Sequence, residues 1–207
     1  MQVTLDNVRV GDGPAATLPS TSLSFGPGIP TVFAVDSEQR PTVLSLVASG
    51  RMRVDAGTVT PANLRSRTAL VDTPLVAEPP AELRGVAVVR EELTFAGVRT
   101  SAARFLRERG LADYVRKPFG SIPPLPRLSL LLDLALLRPG VEGIVITSPE
   151  RHGVEVADWW HLAREIAARD IAVLVITDKA SLDAVALLPH PEAAGAGTVP
   201  LFEGSWK

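Results

Sequence analysis

The apolar positions of the chain follow three rhythms. Val3, Leu5, Val8 and Val10 are set among polar residues with a period close to two, which predicts a strand over residues 2–10 with one buried face. After a turn at Gly11-Asp12-Gly13-Pro14, residues 21–25 predict a second strand, and Gly26-Pro27-Gly28 a turn into Thr31-Val32-Phe33-Ala34-Val35. That run does not alternate. It is apolar and β-branched throughout, as in a strand covered on both faces. Val43 to Gly50 shows the helical period and stops at a glycine, with Pro41 placed at the first helical position. Short strands are predicted at 58–60 and 67–71, a helix within 86–97, an amphipathic helix over 100–109 ending at Gly110, and a short helix at 111–116. Pro118 to Pro126 holds four prolines and is predicted to be neither helix nor central strand. Leu128 to Leu137 is apolar nearly all round, which predicts a buried helix. Strands at 143–146 and 171–176 then alternate with helices at 154–169 and 181–187, and a last strand is placed around 198–202.

Continuous apolar strands alternating with helices predict a mostly parallel sheet covered on both sides. The alternating strands of the front half predict an antiparallel β-subdomain beside it. The expected organisation is one domain, 1–207, with three parts. These are the β-subdomain and the first strand–helix unit at 1–73, a helical insert at 74–127, and the second half of the core sheet with the tail at 128–207.

Composition narrows the function. The charged fraction is 21%, the net charge −2 and the pI about 5.9, so there is no electrostatic footprint for nucleic acid. Cysteine is absent, which removes disulfides, thiolate metal sites and thiol nucleophiles. His152, His161 and His190 lack metal-ligand spacing. The apolar run at 128–137 is interrupted by Asp133 and falls short of the roughly 20 residues a membrane span needs. No basic, signal-like start precedes the first strand, so a cytoplasmic protein is expected. Eighteen arginines against three lysines, with abundant alanine, suggest a GC-rich bacterial source.

The strand–loop–helix unit at 31–50 is the kind of segment in which P-loop NTPases hold phosphate. The pattern GxxxxGK[ST] supplies glycines so that backbone N–H groups converge on an anion, and a lysine for the β/γ-phosphates. Here Val35 takes the first glycine position, Arg40 the second, and Pro41 the lysine position. Thr42, at the Mg²⁺-ligand position, is the one match. Asp36 and Glu38 bring negative charge where phosphate oxygens would sit, and Pro41 removes a donor. The residues thus describe a P-loop frame with a dismantled phosphate site.

The order of segments resembles the nucleotide-binding subunit of ABC transporters over nearly the whole chain. The helix after the loop and Asp55-Ala56-Gly57-Thr58-Val59 resemble the segment after its Walker A motif. Val89 to Gly97 is similar to the start of its helical subdomain, Ile144 to Pro149 to its Walker B strand, and Trp160 to Asp178 to the helix and strand that end at its switch histidine. The resemblance implies an α/β, P-loop NTPase-like fold with an antiparallel β-subdomain and a small helical insert. It places the Walker B aspartate at Thr147, the catalytic glutamate at Ser148, the switch histidine near Asp178 and the Q-loop glutamine near Thr73. The signature segment falls on Pro123-Pro124-Leu125-Pro126-Arg127, the D-loop on Arg151 to Val154, and no aromatic follows Val10 to stack adenine.

What this implies is a catalytically inactive ABC-type subunit, scaffold or regulator of a membrane transporter. Its partners would be an integral permease subunit, a second ABC ATPase subunit, or both, in a homodimer or heterodimer, peripheral on the inner face of the cell membrane. No catalytic residue, metal or cofactor is expected. One alternative is a residual half-site that holds ATP and Mg²⁺ in a heterodimer, with Arg40 and Thr42 as its remaining residues. Another is a soluble adaptor. Thr42 is read first as a helix cap and Arg40 as a solvated loop residue. Glu150 and Asp178 are read as capping or surface groups ahead of a catalytic pair. One of Trp159 and Trp160 is expected in the core with the other at its edge, and Asp133 in a buried pair with an arginine.

Overall fold

The structure is a computed structural model and describes residues 1–35 and 40–188, with the backbone of Leu201–Phe202. Asp36, Ser37, Glu38 and Gln39 lie outside the described residues, as do His190 and residues 198–200. In chain order the elements begin with β1 (Val3–Val10), β2 (Leu18–Phe25), β3 (Thr31–Ala34) and α1 (Arg40–Ala48). They continue with β4 (Ala56–Thr60), α2 (Leu64–Arg67), β5 (Thr68–Val71), α3 (Gly85–Phe95), α4 (Ala102–Glu108) and α5 (Pro124–Leu136). The last are β6 (Gly143–Thr147), α6 (Val156–Ala167), β7 (Ala172–Thr177), α7 (Lys179–Leu187) and β8 (Leu201–Phe202).

Two sheets result. β2, β1 and β4 form an antiparallel sheet in that order. The second sheet has the order β5-β6-β7-β3-β8 and every pairing in it is parallel. β3, β5, β6 and β7 read as unbroken apolar runs because each feeds two cores. Val32, Ile144, Ile146, Val173 and Val175 face the layer of α3 to α7. Phe33, Val145, Leu174 and Ile176 face α1 and the antiparallel sheet.

Four expectations are corrected. The proline-rich segment does not stay irregular: α5 begins at Pro124, so Pro124 and Pro126 lie in its first turn, where a missing N–H leaves no helical hydrogen bond unmade. Residues 111–116 yield only a 3₁₀ turn at Ala112–Tyr114. Trp159 and Trp160 are both buried, 0% and 4% exposed, because α6 meets β7 on one side and α5 and α7 on others, so a wide stripe is covered. Asp133 does pair with an arginine, Arg109 at 2.6 Å, but at a partly exposed site rather than a buried one.

Gly57 is required by a close approach: its φ is +82°, and a Cβ there would meet the Asn7 carbonyl oxygen at 2.3 Å, where β1 bulges against β4.

Candidate functional site

The carboxyl ends of β5, β6, β7 and β3 lie along one edge of the parallel sheet, where α/β folds bind ligands. β3 and α1 run from sheet to helix as the sequence predicts, and α1 starts at Arg40. Thr42 therefore lies inside the first helical turn and is not its cap, which corrects the first reading of that residue. Arg40 and Thr42 are half-buried, and Pro41, at the lysine position, is buried.

At the end of β6 the Thr147 hydroxyl lies 2.7 Å from that of Ser45 on α1 and 2.8 Å from that of Thr73 just beyond β5. Ser45 donates its proton to the Pro41 carbonyl at 2.7 Å, so it accepts from Thr147. All three side chains are fully buried. The edge at Thr147 is thus closed by a chain of neutral hydroxyls, each a partner for the next, with no carboxylate among them. Ser148 follows in the left-handed region, φ 48°, with its N–H donating to the Ile176 carbonyl at 2.7 Å.

The next turn carries Glu150 onto β7, where its carboxylate accepts from the Thr177 hydroxyl at 2.8 Å. Burial holds the Glu150 carboxyl above the usual range, and the nearby Asp178 charge adds to the rise. Asp178 itself caps α7, accepting from the Ser181 N–H at 2.7 Å.

Sequence reading missed a second constellation beside this edge. Arg127, in the first turns of α5, donates through both terminal nitrogens to the two oxygens of Asp72, at 2.6 and 2.7 Å. Their side chains are 6% and 2% exposed. Arg151 donates to both oxygens of Glu78 at 3.1 and 3.0 Å and to the Asp72 carbonyl at 3.1 Å. His152 Nε2 lies 3.4 Å from Asp72 Oδ2 and 3.2 Å from Glu78 Oε1. Burial lowers the His152 pKa, with Arg127 and Arg151 lowering it further against Asp72 and Glu78. Asp72, Glu78 and His152 have the spacing of metal ligands. Two guanidiniums already hold both carboxylates, however, so the group is a balanced ion cluster and does not fit a divalent cation. The only sequence signals were an arginine beginning an apolar helix and an aspartate directly after an apolar strand.

Next to this cluster a groove of about 310 Å³ runs between the segment after β5 and helices α3 and α5, lined among others by Val76, Leu83, Val88, Phe95 and Leu131. Phe95, Val76 and Leu83 are exposed there by 69%, 46% and 39%, beside the charged residues Arg51, Glu91, Glu92 and Arg138.

The architecture is similar over most of its length to three solved structures. One is an ATP-binding subunit of an ABC transporter, with a TM-score of 0.59 and 14% identity, over 86% of this chain and 80% of that one. The fold is that of ABC transporter ATP-binding subunits. A candidate ABC transporter ATP-binding protein from Pyrococcus furiosus gives 0.62 and 13% identity, over 86% and 92% of the two chains. An ATP-binding cassette of an ABC transporter gives 0.58 and 17% identity, over 85% and 81%. No protein-family model and no curated relative matches the sequence. The pairing of a parallel with an antiparallel sheet agrees with this ABC-type fold. Among the described residues, no helix is long and apolar enough to cross a membrane.

Proposed function

We propose that the chain is a catalytically inactive ABC-type subunit that works by binding, as scaffold or regulator of a transporter complex. The observation that supports this is the closed hydroxyl chain Ser45–Thr147–Thr73. Phosphoryl transfer from Mg-ATP needs a carboxylate to order the metal and a base or water-positioning group beside it. At the strand end aligned with those groups stand Thr147, whose oxygen is already shared by two hydroxyls, and Ser148, which is no base at neutral pH. Arg40 and Thr42 remain the residues nearest to any nucleotide contact, and neither replaces a lysine and a glycine cradle.

In this reading residues 1–73, 74–127 and 128–207 serve as β-subdomain with first strand–helix unit, helical insert and second half of the sheet. The partner is an integral permease, a second ATPase subunit or both, and the complex sits on the inner face of the cell membrane. The exposed side chains of Phe95, Val76 and Leu83 on this groove are apolar contacts that such a partner would cover.

Calorimetry of the purified chain with Mg-ATP is expected to show no saturable heat up to about millimolar nucleotide, weaker than roughly −4 kcal/mol. A saturating isotherm in the micromolar range would overturn the inactive reading. For the binding role, Phe95→Asp is expected to weaken co-purification with membrane-embedded partners by about tenfold or more, since it puts a charge on a large apolar contact. Undiminished recovery of such partners by the folded variant would remove the groove from the interface.

A further inference from the structure

The chain crosses between the parallel sheet and the helical insert twice. It leaves at the end of β5, through Asp72 and Glu78, and returns on α5, which starts at Pro124 and carries Arg127. Both crossings meet in the ion cluster described above. The Asp72–Arg127 pair joins outgoing and returning chain directly, through two short hydrogen bonds between side chains that are 2% and 6% exposed. The 3₁₀ turn Pro149–His152, which follows β6, adds Arg151 and His152 from the sheet side. Three segments distant in sequence are therefore held by five side chains.

We propose that Asp72, Glu78, Arg127, Arg151 and His152 form a clasp that holds helical insert and sheet as one body while His152 is neutral, and that loosens when His152 takes a proton.

The charge count carries the second half. Two carboxylates face two guanidiniums, and the sum is zero with a neutral imidazole. Each carboxylate already gives both oxygens to an arginine. A protonated His152 adds a third cation that competes for those same oxygens in a half-buried place. The charged groups facing it are Asp72 after β5, Glu78 on the following loop, Arg127 on α5 and Arg151 on its own turn. A cleft of about 230 Å³, lined by Glu78, Pro79, Pro124, Arg127 and His152, gives protons a path from solvent. The linkage has a definite sign. A histidine held below its ordinary pKa contributes stability that is complete above its unfolded value, about 6.5, and is lost as pH falls below it. The clasp stands whatever occupies the groove or the phosphate loop.

The test uses the full chain, which has no cysteine to remove. Spin labels at Arg107→Cys on α4 and Arg169→Cys beyond α6, both exposed positions, report the distance between insert and sheet by pulsed electron resonance. A single narrow distribution is expected at about pH 8, and a broadened or displaced one at about pH 5. In His152→Gln the distribution stays narrow at both. Arg127→Met broadens it at both. If that variant fails to fold, the His152→Gln comparison alone decides. An unchanged wild-type distribution between the two conditions, or a His152→Gln protein that still responds, overturns the proposal.

Discussion

Arg127→Ala is expected to lower the unfolding free energy by about 3–5 kcal/mol at neutral pH. The loss comes less from the missing attraction than from what remains. Asp72 is 2% exposed and would keep a carboxylate in a dry site with its bidentate donor gone. Arg151 at 4.0 Å from Asp72 is too distant to replace two hydrogen bonds of 2.6 and 2.7 Å. Replacing both partners by apolar residues of similar volume, as in Asp72→Leu with Arg127→Met, is expected to cost far less, because no charge is stranded. Urea titrations of the two single variants and the double variant measure the coupling. A single-variant loss below about 1 kcal/mol would show that the pair is solvated in solution and would contradict the buried geometry.

Thr147→Asp places a carboxylate at the position that the resemblance aligns with the metal-ordering aspartate of ABC ATPases, and the expected result is destabilisation without function. Thr147 is fully buried between Thr73 and Ser45, and the Ser45 proton already goes to the Pro41 carbonyl, so the new carboxylate is left with the Thr73 hydroxyl as its donor. An unpaired buried charge costs about 3 kcal/mol or more, and the carboxyl would respond by raising its pKa. The sign of the pH dependence follows. The penalty is absent below the unfolded value of about 3.9 and grows as pH rises toward the raised folded value. Thermal melts between about pH 4 and pH 8 measure it, with Thr147→Val as the control that removes the hydroxyl without adding charge. Added Mg²⁺ is expected to leave the melting temperature of Thr147→Asp unchanged. A variant as stable as the parent, or one that Mg²⁺ stabilises, would mean that the strand end still accommodates a metal.

The core sheet was readable because burial on both faces leaves no polar alternation: residues 31–35, 143–146 and 171–176 declare themselves as strands before any topology is known. Strand order and the pairing of β8 with β3 were not readable, since parallel neighbours are joined by long crossovers. The prolines at 123–126 misled through their number. A proline in a helix interior is disruptive, but the same residue in the first turn is neutral, and composition does not reveal which applies. The pair Trp159 and Trp160 was misjudged because helix periodicity says how far apart two side chains point, not how many layers surround the helix. The Asp72–Arg127 pair spans 55 residues of sequence and joins two residues that look unremarkable where they stand. Thr147 was singled out by its alignment with a motif, yet its partner Ser45 is an ordinary small residue in a helix, and only the tertiary contact gives it meaning.

The parallel sheet is a party wall. Val145 presses on one compartment while Ile144 and Ile146, its immediate neighbours, press on the other. Neither compartment can melt and leave the wall standing, because each strand would then expose half its side chains to water. Damage on the side of α1 is thereby felt among the helices of the opposite layer without any wire of contacts between them. The molecule fails as a unit, and whatever binds one of its outer surfaces steadies both rooms.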